Sequence, residues 1–181
     1  MRVIIFVSLF VLMIIGGMGV YSARRTGLNQ GFRPTQPIAF SHKEHAGINK
    51  MECLYCHFAA EQGRHAGIPP VGVCMNCHKF VKKNDSKEIA KVEQAYNNKK
   101  PIEWTKVHYL PDFAYFNHSQ HVVVGKIACQ TCHGPAETME VMEQYSELSM
   151  GWCIDCHREK GIAPPQDHKA ATGGDCSKCH Y

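Results

Sequence analysis

Large aliphatic side chains and phenylalanine are scarce in most of this chain. Of the 159 residues from Ala23 to Tyr181, only 27, or 17%, are Leu, Ile, Val or Phe. Domains that build an ordinary hydrophobic core contain more of these residues. The composition therefore excludes a conventionally packed domain, unless a group other than the side chains supplies the missing apolar volume.

Cysteine is absent outside one short motif. The ten cysteines form five C-x-x-C pairs, and a histidine directly follows every pair. No cysteine remains for a disulfide framework, zinc pairs do not require a histidine after each one, and a thioredoxin-like pair would occur once. C-x-x-C-H is instead the attachment signature of c-type haem, in which both thiols form thioethers and the histidine binds the iron.

The sequence thus predicts five covalently bound haems c, whose planes supply the missing apolar surface. We expect short helices and loops around stacked haems, in a mostly α and irregular fold that depends on haem and carries one N-terminal transmembrane helix. The predicted attachment residues are Cys53, Cys56, Cys74, Cys77, Cys129, Cys132, Cys153, Cys156, Cys176 and Cys179, and the predicted proximal iron ligands are His57, His78, His133, His157 and His180.

A long hydrophobic run occurs only at the start of the chain. Val3 to Tyr21 is 19 residues with only Ser8 clearly polar. A helix of this length spans about 28 Å, close to the thickness of a bilayer core. We expect residues 1–22 to form a transmembrane anchor, with a cleaved signal peptide as the alternative. Arginines after the run oppose the usual charge bias, but haem attachment requires translocation, so the expected location is the inner membrane with a periplasmic haem domain.

Four of the five motifs occur in two similar blocks. An aromatic-x-H-x-x-H segment begins each block, and its first histidine, His42 or His118, precedes the first cysteine by eleven residues. A second C-x-x-C-H follows in each block, which indicates duplication of a two-haem module. The expected organisation is a linker over 23–37, module one over 38–80, a connecting segment over 81–112, module two over 113–159 and a fifth-haem tail over 160–181.

Seven histidines lie outside the motifs, more than five irons need as distal ligands. In a helical H-x-x-H segment the two rings lie about one turn apart and can face different irons. The first candidates are His42 and His118, followed by His45 and His121, and then His108. The sequence leaves open His65, His168, Met139, Met142 and Met150 as further possible ligands.

The connecting segment contains two distinct stretches. Asp85, with a glutamate three residues later, resembles a helix start, and Ile89, Val92 and Tyr96 then fall on one face. This pattern predicts a short amphipathic helix. The stretch 101–116 is the most aromatic part of the chain, and its rings are suited to packing against porphyrin planes.

The H-x-x-H and C-x-x-C-H pattern resembles the small multihaem cytochromes of the c3/c7 class. Two longer segments, 40–78 and 104–159, resemble the pentahaem cytochrome subunit of bacterial alternative complex III, a quinol oxidoreductase. The resemblance implies a c3/c7-like fold. It also implies an iron–sulfur subunit, quinol-binding membrane subunits and a monohaem cytochrome as partners.

The expected function is electron relay from a quinol-oxidising respiratory or photosynthetic complex towards a periplasmic acceptor. Neither a catalytic residue nor a quinone site is identifiable in the chain. The alternatives are a stand-alone membrane-anchored multihaem quinol dehydrogenase and a multihaem reductase with an open catalytic iron. The net charge of +4 is offset by haem propionates, so it does not indicate nucleic-acid binding.

Overall fold

The computed structural model describes residues 2–25, 28–161 and 179–180. Two residues named above, Cys176 and His168, lie outside these ranges. The described residues form helices and irregular segments without a strand, which confirms the mostly α and irregular fold class. The α-helices are α1 (Arg2–Arg25), α2 (Cys53–Cys56), α3 (Val71–His78), α4 (Lys87–Asn97), α5 (Cys129–His133) and α6 (Met150–Glu159). Shorter turns are of π type at Lys43–Ile48 and Gln120–Val124, and of 3-10 type at Phe58–Glu61 and Ala136–Thr138.

Helix α1 is formed by the N-terminal apolar run. Its stretch Ile4–Ala23, 20 residues, is long and apolar enough to cross a membrane, and 0% of it is buried against the rest of the chain. Length and composition fit a membrane anchor and equally a signal sequence.

The side-chain core is small. Its main cluster consists of Ile38, Met75 and Val92, with the partly buried Trp104 packed against it. Met75 comes from α3 and Val92 from α4, so the cluster joins the first pair of motifs to the connecting helix. Six apolar residues are buried in the described part of the chain, which agrees with its low aliphatic content.

Helix α4 is the amphipathic helix predicted for the connecting segment. Its N-cap is Ser86 rather than Asp85, and the Ser86 hydroxyl accepts a hydrogen bond from the Ile89 N–H at 3.4 Å. Serine and aspartate are almost equally good caps, so local chemistry alone does not choose between neighbouring positions. Val92 faces the core as predicted, whereas Tyr96 remains 42% exposed.

The two π-helical turns carry the H-x-x-H segments and have the same local geometry. Phe40 stacks on His45 with ring centroids 4.3 Å apart, and Phe116 lies over His121 at the same distance. Each phenylalanine also lies edge-on to the first histidine of its segment. Each phenylalanine thus packs against both imidazoles of its segment.

Gln144 joins three distant parts of the chain although no sequence pattern marks it. It is 1% exposed, and its backbone accepts from Gly31 N–H and donates to the Phe32 carbonyl. Its side-chain oxygen accepts from Tyr109 N–H at 3.1 Å, and its amide nitrogen donates to the Ser146 carbonyl at 3.2 Å. The linker and the aromatic stretch are thereby tied to the block that contains α5 and α6.

Candidate functional site

Four C-x-x-C-H motifs lie on or directly at the end of short helices. Helices α2 and α5 consist of little else, whereas α3 contains its motif in its last five residues. Residues three and four positions apart share one face of a helix, so both cysteines and the histidine of a motif can bind the same haem. The nine described cysteines have free thiols, as thioether attachment requires.

Three pairs of imidazoles face each other at similar distances. Ring centroids lie 6.1 Å apart for His45 and His78, 6.4 Å for His118 and His133, and 6.0 Å for His121 and His157. Two imidazoles on opposite sides of one metal ion have centroids roughly 6.4 Å apart, because each metal–nitrogen bond is about 2.0–2.1 Å long. The plane angles differ between pairs, which is possible because each ring can rotate about its metal–nitrogen bond. Each pair therefore fits one six-coordinate haem iron.

The hydrogen bonds of these rings select the nitrogen that can bind iron. When a carbonyl accepts from Nδ1–H, the neutral ring keeps its lone pair on Nε2 for the metal. Backbone carbonyls accept from Nδ1 of His45 (Ser41, 2.8 Å), His57 (Gly67, 2.8 Å), His78 (Val81, 3.0 Å), His118 (Arg64, 2.7 Å), His121 (Asn117, 2.8 Å) and His180 (Phe113, 2.9 Å). Carbonyls are common to all residue types, so no sequence signal could have identified these acceptors.

His57 lies close enough to His42 to affect its protonation. Burial lowers the pKa of His42 to about 4, and the charges of His57 and His45 add to this effect. The ring is therefore neutral at pH 7, which is the form that binds iron. Unlike the six rings above, its Nδ1 is buried without a hydrogen-bond partner among the described residues, so no carbonyl fixes the tautomer of this ring.

His133 is in contact with two other histidines. Its Nδ1 lies 3.1 Å from Nε2 of His108, and these two rings are edge-on with centroids 4.4 Å apart. The His118 ring lies parallel to the His133 ring, within 2°. Burial lowers the pKa of His133 to about 3 and that of His108 to about 4, so both rings are neutral at pH 7.

The other candidate ligands lie in different surroundings. His65 is exposed, in a loop whose Arg64 carbonyl accepts from His118. Met139 is buried (7% exposed), and Met150, the first residue of α6, is 67% exposed. Met142 is half-buried.

Cys179 and His180 are the described residues of the fifth motif, and they lie against the aromatic stretch. The Tyr115 N–H donates to the Cys179 carbonyl at 2.7 Å. The neighbouring His180 ring lies beside Phe113, with centroids 5.6 Å apart. These contacts place Cys179 and His180 beside the segment that leads into the second H-x-x-H turn.

The cysteine thiols of neighbouring C-x-x-C-H motifs lie near one another. Burial raises the pKa of Cys56, and the nearby thiols of Cys74 and Cys77 raise it further. Burial also raises the pKa of Cys53, whose thiol interacts with Cys129 by charge and by a side-chain hydrogen bond. The first motif therefore lies between the second and the third.

The same kind of contact continues towards the tail. Burial raises the pKa of Cys132 to about 11, with smaller effects of Cys156 and Cys153. Burial raises the pKa of Cys153 too, and Cys179 is the thiol with the largest added effect. Among the described thiols, those of the second motif thus lie near the first motif, those of the first near the third, those of the third near the fourth, and Cys153 of the fourth near Cys179.

Two family models match the chain in separate regions. The Class III cytochrome C family matches residues 21–109, and the family of cytochrome c7 and related cytochrome c matches residues 114–181. A curated relative is the multihaem cytochrome c subunit of a menaquinone reductase from Nitratidesulfovibrio vulgaris (strain Hildenborough). It is 32% identical over 156 residues, a match that covers 80% of this chain and 67% of the relative.

These similarities agree with the chemistry of the site. Each matched region contains C-x-x-C-H motifs, and the described thiols and paired imidazoles are the donors that covalent haem requires. The chain belongs to the c3/c7-like family of multihaem cytochromes c.

Proposed function

We propose that this protein is the membrane-anchored pentahaem electron-transfer subunit of a quinone-linked oxidoreductase complex. The observation that carries the proposal is that the described thiols of successive motifs lie near one another, from the second motif through the first, third and fourth to Cys179. Haem iron carries one electron by changing between Fe(III) and Fe(II), and the protein sets its potential through axial ligands and surroundings. The closeness of the described thiols supports a relay in which neighbouring haems exchange electrons.

The proposed axial ligands follow the imidazole contacts. The first histidine of each H-x-x-H turn serves the first motif of its block, and the second histidine serves the second motif. The proposed pairs are His42 with His57, His45 with His78, His118 with His133, and His121 with His157. The ring distances support the last three pairs, and the electrostatic effect of His57 on His42 supports the first.

Similarity to a menaquinone reductase subunit supports electron flow from a periplasmic donor through this chain towards menaquinone. The segments 40–78 and 104–159, which resemble the alternative complex III subunit, support a second candidate with the opposite direction, from quinol to a periplasmic acceptor. In both cases the chain supplies the relay, and other subunits of the complex supply the quinone site. An iron–sulfur subunit, quinol-binding membrane subunits and a monohaem cytochrome are the partners proposed for the second candidate.

Helix α1 is proposed to remain as the single membrane anchor, with the haem-binding part on the periplasmic side. Its apolar stretch spans 20 residues, which is enough to cross a bilayer. N-terminal sequencing of the mature protein tests this point. A mature chain that starts near Ala23 would show that the segment is a cleaved signal peptide.

Purification from native membranes in mild detergent tests the proposed function. Mass spectrometry should identify membrane-spanning subunits that co-purify with this chain, including an iron–sulfur subunit if the second candidate is correct. Rapid mixing with a menaquinol analogue, and separately with a reduced soluble cytochrome, shows which reagent reduces the haems at a rate that supports turnover. A chain that purifies alone and oxidises the menaquinol analogue by itself would instead identify a stand-alone quinol dehydrogenase.

A further inference from the structure

Two different histidines lie beside the His133 imidazole, one across from its ring and one at its Nδ1. His118 lies across from it at 6.4 Å with a parallel ring, the separation that fits two ligands of one iron. His108 instead approaches Nδ1 of His133 edge-on, with its Nε2 at 3.1 Å. The distance and the perpendicular planes are those of a hydrogen bond between imidazoles.

The direction of this hydrogen bond follows from the chemistry of the ligand. A neutral histidine that binds iron through Nε2 keeps its proton on Nδ1, so His133 is the donor and Nε2 of His108 is the acceptor. The lone pair of that His108 nitrogen is then engaged and cannot bind another iron. We propose that His108 is a positioning residue, which accepts the His133 Nδ1–H hydrogen bond and sets the orientation and donor strength of this ligand.

The surroundings of His108 hold its ring in place. Val107 before it is buried (9% exposed). The N–H of Tyr109 after it donates to the side chain of Gln144, which is itself 1% exposed. A backbone fixed on both sides of His108 leaves its side chain few positions, so the contact with His133 is part of the packed structure.

The acceptor at His133 differs in kind from those of other motif histidines. His57, His78 and His180 donate to the backbone carbonyls of Gly67, Val81 and Phe113, which a side-chain substitution does not remove. At His133 the acceptor is a side chain. This makes it possible to change the hydrogen bond of one site without altering the others.

The hydrogen bond has an electronic consequence. An acceptor on Nδ1–H makes the imidazole a more basic ligand, and a more basic ligand stabilises Fe(III) relative to Fe(II). His108 therefore lowers the reduction potential of the site at Cys129 and Cys132. Without this acceptor, that site should become easier to reduce.

The experiment uses the intact five-haem chain and three variants. His108→Leu removes the acceptor, His108→Gln supplies an amide oxygen as a weaker acceptor, and Tyr109→Phe is a matched control on the next residue. Redox titration followed by absorbance gives the potentials, and low-temperature electron paramagnetic resonance counts the low-spin irons. In His108→Leu, the ratio of reduced to oxidised iron at one site should rise up to about tenfold at a fixed potential, equivalent to about 59 mV for one electron.

The expected pattern is specific. The reduction potential of one haem should rise in His108→Leu, rise less in His108→Gln and stay unchanged in Tyr109→Phe. All three variants should have as many low-spin irons as the wild type. Loss of a low-spin iron in His108→Leu would show that His108 is an axial ligand, and unchanged potentials would show that the hydrogen bond has no electronic role. Either result overturns the proposal.

Two further outcomes are decisive. If His108→Leu does not assemble, His108→Gln alone decides. A low-spin site whose reduction potential is slightly higher than in the wild type supports the proposal, and a lost site or an unchanged potential overturns it.

The inference rests on the proposed His118–His133 ligand pair. A wild type lacking a low-spin iron at Cys129 and Cys132 would refute that pair, whereas a low-spin wild type with no shift in the variants refutes only the role of His108.

Discussion

Replacing His118 by alanine should remove one axial ligand and leave its haem attached. The His118 ring lies 6.4 Å from that of His133, at an angle of 2°, and its Nδ1 is held by the Arg64 carbonyl at 2.7 Å. The thioethers at Cys129 and Cys132 do not depend on this ring. We therefore expect five attached haems in His118→Ala, of which one has lost its low-spin character.

The size of the effect follows from the number of irons that each histidine contacts. His118 is proposed to bind one iron, opposite His133, so about one fifth of the low-spin signal of the five predicted haems should disappear. The lost side-chain hydrogen bond costs roughly 0.5–1.5 kcal/mol. The backbone N–H of His118 still donates to Arg64 at 3.3 Å, so the loop should stay in place and the spectral change should not reflect unfolding.

Two matched variants sharpen this prediction. His121→Ala should remove a different low-spin iron, because His121 faces His157 with centroids 6.0 Å apart, and the double variant should lose two. His118→Met supplies a thioether, so the site should remain six-coordinate with a higher potential.

Electron paramagnetic resonance measures the number of low-spin irons, and mass spectrometry of the intact chains measures the number of attached haems. The pairing is refuted if His118→Ala keeps every low-spin signal while His121→Ala removes the one at Cys129 and Cys132. It is also refuted if either single substitution removes two signals, because each ring would then not belong to one iron.

Three further predictions concern assembly and stability. Mass spectrometry of the intact wild type should show five haem additions, and fewer than four would contradict a continuous relay. Gln144→Leu removes the hydrogen-bond partners of the Tyr109 N–H and the Ser146 carbonyl. Denaturant titration of the haem-loaded protein should show a loss of about 2–4 kcal/mol in the free energy of unfolding. The control Gln62→Leu, at an exposed position, should change it by at most about 0.5 kcal/mol. Gly134→Ala puts alanine at a φ of +67° and makes the new methyl group overlap the Tyr145 ring, whereas Gly161→Ala has a φ of +64° and no described atom within 4 Å of the methyl group. Gly161→Ala should therefore lower the free energy of unfolding by roughly 1–2 kcal/mol through backbone strain, and Gly134→Ala should lower it by more. Equal losses would show that Tyr145 moves aside freely.

The sequence by itself determined the features that depend on neighbouring residues. Two thiols and a histidine within five positions specify covalent haem, because one turn of helix brings them to the same face. An apolar run of 19 residues specifies a helix long enough for a bilayer. The periodicity of Ile89 and Val92 predicted α4 to within one residue of its N-cap, because amphipathic spacing is also a local property.

Only the tertiary structure decided which distant groups meet. His45 and His78 are 33 positions apart, and His108 and His133 are 25 apart, so their contacts depend on the path of irregular segments that have no periodicity. The sequence ranked His118 among the first candidate ligands and His108 after the H-x-x-H histidines, but it could not show that His108 lies at Nδ1 of His133 while His118 lies across from its ring. No sequence pattern predicted that Gln144 is buried and hydrogen-bonded, because a buried amide differs from an exposed one only in the backbone groups that folding brings to it. The chemistry of the haem sites is thus local in the chain, whereas the choice of the second ligand, its hydrogen bonds and the spatial order of the sites require the folded structure.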